Sequence, residues 1–170
     1  MARPIRVLVV DDSAFMRHTI TNKLLNEPDI SVVDVASNGI DAVQKVGQLC
    51  PDVVTLDVEM PRMNGLSALA EIMRTNPCPV IMLSSMTREG ADTTIRALEL
   101  GAVDFVAKPS GSVSLDIVNV RDELLSKVRY AASTPRSRLR PPVARGVGPV
   151  RREWPPRLLS PVQKVVVIGS

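Results

Sequence analysis

Four apolar runs of this sequence end in residues able to do chemistry. Ile5-Arg6-Val7-Leu8-Val9-Val10 runs into Asp11-Asp12, and Val53-Val54-Thr55-Leu56 runs into Asp57. Pro79-Val80-Ile81-Met82-Leu83 runs into Ser84-Ser85, and the run from Val103 to Ala107 leads to Lys108-Pro109. A residue at the C-terminal end of a parallel strand lies in the crevice where α/β sheets place their chemistry. Three carboxylates in one crevice raise each other's pKa, and a hard divalent cation relieves that repulsion. Mg²⁺ takes oxygen ligands, typically one or two carboxylates with waters and phosphate. The expected site therefore holds Mg²⁺, or Mn²⁺ in its place, between Asp12 and Asp57. Asp11 would hold a bound water, and the backbone carbonyl of Glu59 would complete the protein's share.

That constellation suits phosphoryl transfer to Asp57 itself. The carboxylate attacks phosphorus in line, while the cation, the Lys108 ammonium and the Ser84 hydroxyl neutralise charge on the equatorial oxygens. Ser84 is favoured over Ser85 because it continues the strand end. An Asp-Asp pair alone reads as a solvated turn, and Lys-Pro alone as a strand exit. With an aspartate ending the third strand as well, the chemical reading is the stronger one. A cis Lys108–Pro109 bond is expected to aim the lysine. Phe105 alone reads as core; in a switch it would rotate as Ser84 moves toward a phosphoryl group. His18, on the first helix, reads as structural or solvated.

The elements that must position these residues follow from periodicity. Strands are expected at 5–10, 30–36, 53–56, 79–83 and 103–107. The first helix follows Ser13 as N-cap with Phe15, Ile20, Leu24 and Leu25 in helical spacing. The second carries Ile40, Val43 and Val46 inward, and the third Leu66, Leu69, Ile72 and Met73. A fourth covers 89–100, closed by Gly101, and a fifth runs from Leu115 to about Ala131. Five strands alternating with five helices predict an α/β domain with a doubly wound parallel sheet and helices on both faces. There is no Gly-x-Gly-x-x-Gly and no Gly-x-x-x-x-Gly-Lys-Ser/Thr, which disfavours nucleotide loops.

The net charge of +3 hides a split. Residues 1–130 carry 13 basic and 17 acidic side chains, whereas residues 131–163 carry seven arginines and one acid, Glu153. Half of the fourteen prolines also fall between 131 and 163. An acidic domain of residues 1–131 is thus expected, then a semi-stiff Pro/Arg linker over 132–162. Residues 163–170 read as the first strand of a second domain whose remainder is missing. No apolar run approaches the ~18 residues of a spanning helix, and the start lacks a secretory core, which predicts a cytoplasmic protein with no membrane insertion. Cys50 and Cys78 have no metal-ligand spacing and read as small buried residues. An Arg-rich arm binding nucleic acid lacks a helix-turn-helix or an aromatic stacking pattern to support it.

Val-Asp-Asp-Ser, the Asp57 strand, Met-Pro-x-Met-Asn-Gly-Leu, the Ser84 strand end and Phe-Val-Ala-Lys-Pro resemble, in order, the receiver domains of response regulators. The resemblance implies a flavodoxin-like (βα)5 fold with strand order 2-1-3-4-5. It also implies phosphotransfer from a histidine kinase to Asp57, making a 4-aspartylphosphate. A narrower resemblance, through Asp57-Val-Glu-Met-Pro-Arg-Met-Asn-Gly-Leu, Pro79-Val-Ile-Met-Leu-Ser-Ser-Met-Thr and the Val-Val-Val-Ile-Gly-Ser end, is to the chemotaxis protein-glutamate methylesterase (CheB) family. It implies a regulatory half that controls an esterase acting on chemoreceptors. By that alignment Ser170 stands one residue before the esterase nucleophile. The catalytic domain would be absent from this chain, which is expected to catalyse only its own phosphorylation. The competing reading is a stand-alone receiver that acts as a phosphorylation-dependent binding module.

Overall fold

The computed structural model of the chain describes residues 3–84, 88–108 and 114–139. Its elements are β1 (Ile5–Val10), α1 (Ala14–Leu25), β2 (Ile30–Ala36), α2 (Gly39–Leu49), β3 (Val53–Asp57), α3 (Gly65–Thr75), β4 (Val80–Ser84), α4 (Arg88–Glu99), β5 (Asp104–Ala107) and α5 (Ser114–Ala132). A 3₁₀ turn, Arg136–Arg138, follows. The five strands form one parallel sheet in the order β2-β1-β3-β4-β5, as the resemblance implies.

Side-chain alternation splits the core into two layers, because successive strand residues point to opposite faces. Leu8, Val10, Val54, Leu56, Val80 and Met82 meet α2, α3 and α4 through Ala42, Val46, Leu69, Ile72, Met73 and Ala97. Val7, Val9, Val53, Ile81, Leu83 and Val106 meet α1 and α5 through Ile20, Leu24, Leu124, Leu125, Val128 and Ala131. Burial on both faces explains why β1, β3 and β4 read as nearly continuous apolar runs.

Polar side chains start the helices. Ser13 accepts from the N–H of Met16 at 3.3 Å, Asn38 from Asp41 at 3.0 Å and Asn64 from Ser67 at 2.9 Å. Each satisfies one of the orphan donors of a helix start. Beyond β5, α5 is tied back to the α1–β2 connection. Arg129 pairs with Asp29 at 2.8 Å and Glu27 at 2.7 Å, and Arg121 pairs with Glu27 at 2.7 Å.

Ile40, expected inward, is a surface residue, whereas Val46 is buried as expected; of the α1 residues in helical spacing, Ile20 and Leu24 are buried, and Phe15 (76% exposed) and Leu25 face out. Cys78 is buried, but Cys50 is exposed, because it ends α2 in the left-handed region with φ 47°. His18 is exposed and bonded to Asn22 at 2.9 Å, in keeping with a solvated role. The packed chain also extends past the expected end of the domain at 131. The turn at Arg136–Arg138 brings Leu139, 4% exposed, into the α2–α3–α4 core layer. Within the expected linker over 132–162, then, residues up to 139 pack on the domain. The expected cis bond before Pro109, the rest of the linker and the strand over 163–170 lie outside the described residues.

Candidate phosphoryl-acceptor site

β1, β3 and β5 lie side by side with β4 between the last two, so their C-terminal ends converge. Asp57 ends β3 and is 2% exposed; Asp11 directly follows β1 and is fully buried. Asp12, the next residue, is exposed, and the three aspartates offer carboxylate oxygens that all lie within 4.8 Å of one another. Lys108 arrives from the end of β5. Its Nζ stands 2.7 Å from Asp57 Oδ2 and 3.0 Å from Asp11 Oδ2. Ser84 ends β4 and is 5% exposed, and its carbonyl accepts from the Lys108 N–H at 2.8 Å. Four of the residues singled out from sequence are thus gathered into one charged cluster, and Ser84 is on the strand beside it.

The backbone holds this cluster in place. The Ser13 N–H donates to Asp11 Oδ1 at 2.9 Å, and the Glu59 N–H to Asp57 Oδ1 at 3.3 Å. The turn after Asp57 is closed by the Gly65 N–H donating to the Val58 carbonyl at 2.9 Å. That turn requires glycine, since a Cβ at Gly65 would stand 2.0 Å from the Asp57 carbonyl oxygen. Sequence reading missed Arg17, whose guanidinium donates to the carbonyls of Asp11 at 2.8 Å and Asp12 at 3.0 Å. Both contacts are to backbone carbonyls, so no residue-type pattern signalled them.

Burial pushes the Asp57 carboxyl up, and the charge of Asp11 adds to this. The Lys108 ammonium opposes the rise without cancelling it. Burial by itself would lower Lys108, but its bonds to Asp57 and Asp11 outweigh this and hold its pKa above the ordinary value. Oδ2 of Asp11 and Oδ2 of Asp57 are fully buried and, apart from Lys108, meet no donor among the described residues. Two under-compensated buried carboxylates beside a third exposed one fit a hard divalent cation. Next to them lies a groove of about 650 Å³, lined by Asp12, Glu59, Met60, Asn64, Leu66 and Thr93 among others.

Phe105 is 38% exposed on β5, with Lys127 Nζ 4.9 Å from its ring centroid. It therefore lies on the outward side of the sheet edge and does not belong to the core.

Comparison with known proteins agrees with this geometry. The response regulator receiver domain matches residues 7–117. A protein-glutamate methylesterase/protein-glutamine glutaminase of Symbiobacterium thermophilum is 64% identical over 137 residues, covering 80% of this chain and 38% of the relative. One from Geobacillus kaustophilus is 50% identical over 173 residues, covering 99% of this chain and 48% of the relative. The chain thus spans less than half the length of these relatives. Among solved structures, the response regulator domain of Thermotoga maritima CheB is 53% identical with a TM-score of 0.72, covering 78% of this chain and 99% of that one. A chain of the CheX-CheY-BeF3-Mg²⁺ complex from Borrelia burgdorferi is 31% identical with a TM-score of 0.65, covering 78% of this chain and 92% of that one. No helix among the described residues is long and apolar enough to cross a membrane. With the receiver profile covering well over half its length and its acidic cluster at the strand ends, this chain belongs to the response regulator receiver family.

Proposed function

We propose that this chain is the phosphorylatable regulatory part of a chemotaxis protein-glutamate methylesterase, with Asp57 as phosphoryl acceptor. The observation that carries the reading is Lys108 Nζ bridging Asp57 and Asp11 at the strand ends, with Asp12 beside them. Asp12, Asp57 and the Glu59 carbonyl would hold Mg²⁺ or Mn²⁺, with Asp11 acting through a water. Once bound, the cation supplies positive charge opposite the phosphoryl oxygens. The chain's own residues do the rest. Asp57 Oδ attacks phosphorus, and the bond from phosphorus to the donor's histidine nitrogen breaks; the new bond makes an acyl phosphate on Asp57. Lys108 keeps its proton throughout and offers a fixed positive charge to the transferred group. Ser84, at the end of β4, donates its hydroxyl to a phosphoryl oxygen. Its movement would draw Phe105 inward from its exposed position.

The donor is a chemotaxis histidine kinase, and the site of work is the cytoplasm. The esterase and its chemoreceptor substrates are carried over from relatives twice this chain's length. The alignment of 99% of this chain with the Geobacillus relative favours this regulatory half over a stand-alone receiver, because it runs through the Pro/Arg stretch to the chain's end. The deciding experiment is intact mass after incubation with Mg²⁺ and acetyl phosphate. The expected result is a gain of one phosphoryl group, abolished by EDTA and by Asp57→Asn. Unchanged mass with every donor tried would overturn the reading.

A further inference from the structure

The stretch after α5 is the part of the described structure that the acceptor site leaves unexplained. Ser133 and Thr134 close α5 by donating to Tyr130 and Ala131. The chain then crosses the end of the sheet opposite Asp57. There the Arg136 guanidinium donates to the Pro51 carbonyl at 2.8 Å, and the 3₁₀ turn delivers Leu139. Leu139 is 4% exposed and shares its core layer with Met73, Ala97 and Ala102. Its carbonyl lies against Gly101, where an added Cβ would meet that oxygen at 3.0 Å. Gly101 (φ 106°) is the residue that ends α4, its N–H donating to Leu98 at 3.1 Å while Ala102 donates to Ala97 at 3.0 Å. The hook thus sits on the C-terminal cap of α4.

α4 itself is thinly anchored. Its buried side chains among the described residues are Thr94 and Ala97, whereas Ile95 and Leu98 face out. Leu139 joins Met73 in the buried layer under its C-terminal end, with Leu100 and Val103 packed against that layer. A close-packed seat fits one position of its neighbour and loses contacts when that neighbour shifts. α4 follows the Ser84 end of β4, where a phosphoryl group on Asp57 would act.

We propose that residues 133–139 form a docked hook seated on the C-terminal end of α4, and that phosphorylation of Asp57 unseats it. The released segment would then begin at the end of α5, lengthening the connection from the domain to the residues after 139. The switch rests on the reading of Asp57 as acceptor. By linkage, weakening the seat must favour the phosphorylated state.

The arginines of the hook make it testable by limited trypsin digestion of the whole chain. Cleavage after Arg136 and Arg138 is compared with cleavage of the same two bonds in a synthetic peptide of residues 130–142, and phosphorylation is read by mass on the same sample. Without phosphate, the two hook bonds should be cut about tenfold more slowly in the chain than in the peptide. Acetyl phosphate with Mg²⁺ should remove most of that protection, and Asp57→Asn should keep it. Leu139→Ala should lose the protection at the outset and show a phosphorylation equilibrium shifted several-fold toward the phosphorylated state, with Leu139→Met behaving as wild type. Equal cleavage of the two bonds in the unphosphorylated chain and in the peptide would overturn the hook. Protection that survives in a chain carrying the phosphate would overturn the switch alone. Absence of phosphate would overturn the acceptor reading and the switch with it.

Discussion

A carboxylate 2.7 Å from an ammonium would ordinarily titrate low, yet Asp57 is pushed up. Burial is the larger effect: the desolvation of a group 2% exposed, with Asp11 adding like charge, exceeds what one shared lysine returns. A folded-state pKa raised above the unfolded one contributes stability that is full below the unfolded value and is lost as pH rises through the folded value. Without divalent cations the wild type should therefore lose stability relative to Asp57→Asn as pH rises through the carboxylate range. At neutral pH the variant should be the more stable chain. Urea unfolding of both in EDTA at a series of pH values measures this, and a wild type that gains on the variant with rising pH would contradict it. The acidic residues of this site were legible in the sequence because each ends an apolar strand. Arg17 was not, because it touches carbonyls, and no pattern of residue types announces a backbone contact.

The loop between β3 and α3 shows how an element can be tied to a site through one missing atom group. At Gly65 a Cβ would overlap the Asp57 carbonyl and crowd the Val58 Cα at 2.9 Å. Backbone cannot yield as a flexible side chain does. Gly65→Ala should thus shift the end of β3, cost about 2 kcal/mol in chemical denaturation, and cut the phosphorylation rate at least tenfold. A chain that folds less stably but phosphorylates normally would show that the close approach serves only the fold. Strands were legible here because alternating layers bury both faces. Helix faces were less so. Along α1, Ile20 and Leu24 lie within about 40° of each other on the helical wheel, whereas Phe15 and Leu25 lie roughly 100° or more from both. Helical spacing in the sequence was therefore real for one pair and incidental for the other. The hook was hidden for a different reason. Pro135 and the flanking arginines set the composition of residues 133–139, and one buried leucine carries their packing.

The molecule places its chemistry and its exit at opposite ends of one sheet. Asp11, Asp57 and Lys108 cluster beyond the C-terminal strand ends, while Arg136 and Leu139 lie below the N-terminal ends. The central strands β3 and β4 between them are buried by two helical layers. The ion-free chain also keeps part of its free energy in unfavourable form at the top, as buried carboxylates with one counter-charge. Any ligand that binds the folded state and not the unfolded one stabilises by mass action. Added Mg²⁺ should therefore raise Tm progressively, by about 2.7 kcal/mol of stability at a hundredfold excess over Kd. For a chain of this size that is a shift of roughly 5–10 °C. Na⁺ at matched ionic strength should give little, because a screened monovalent ion cannot offset two buried charges. Asp57→Asn should blunt the Mg²⁺ response while starting from a higher Tm, so that the two melting curves converge as the cation is added. Parallel shifts of both proteins would mean that the cation stabilises some other part of the surface, and the acidic cluster would lose its role as the place where stability and phosphorylation meet.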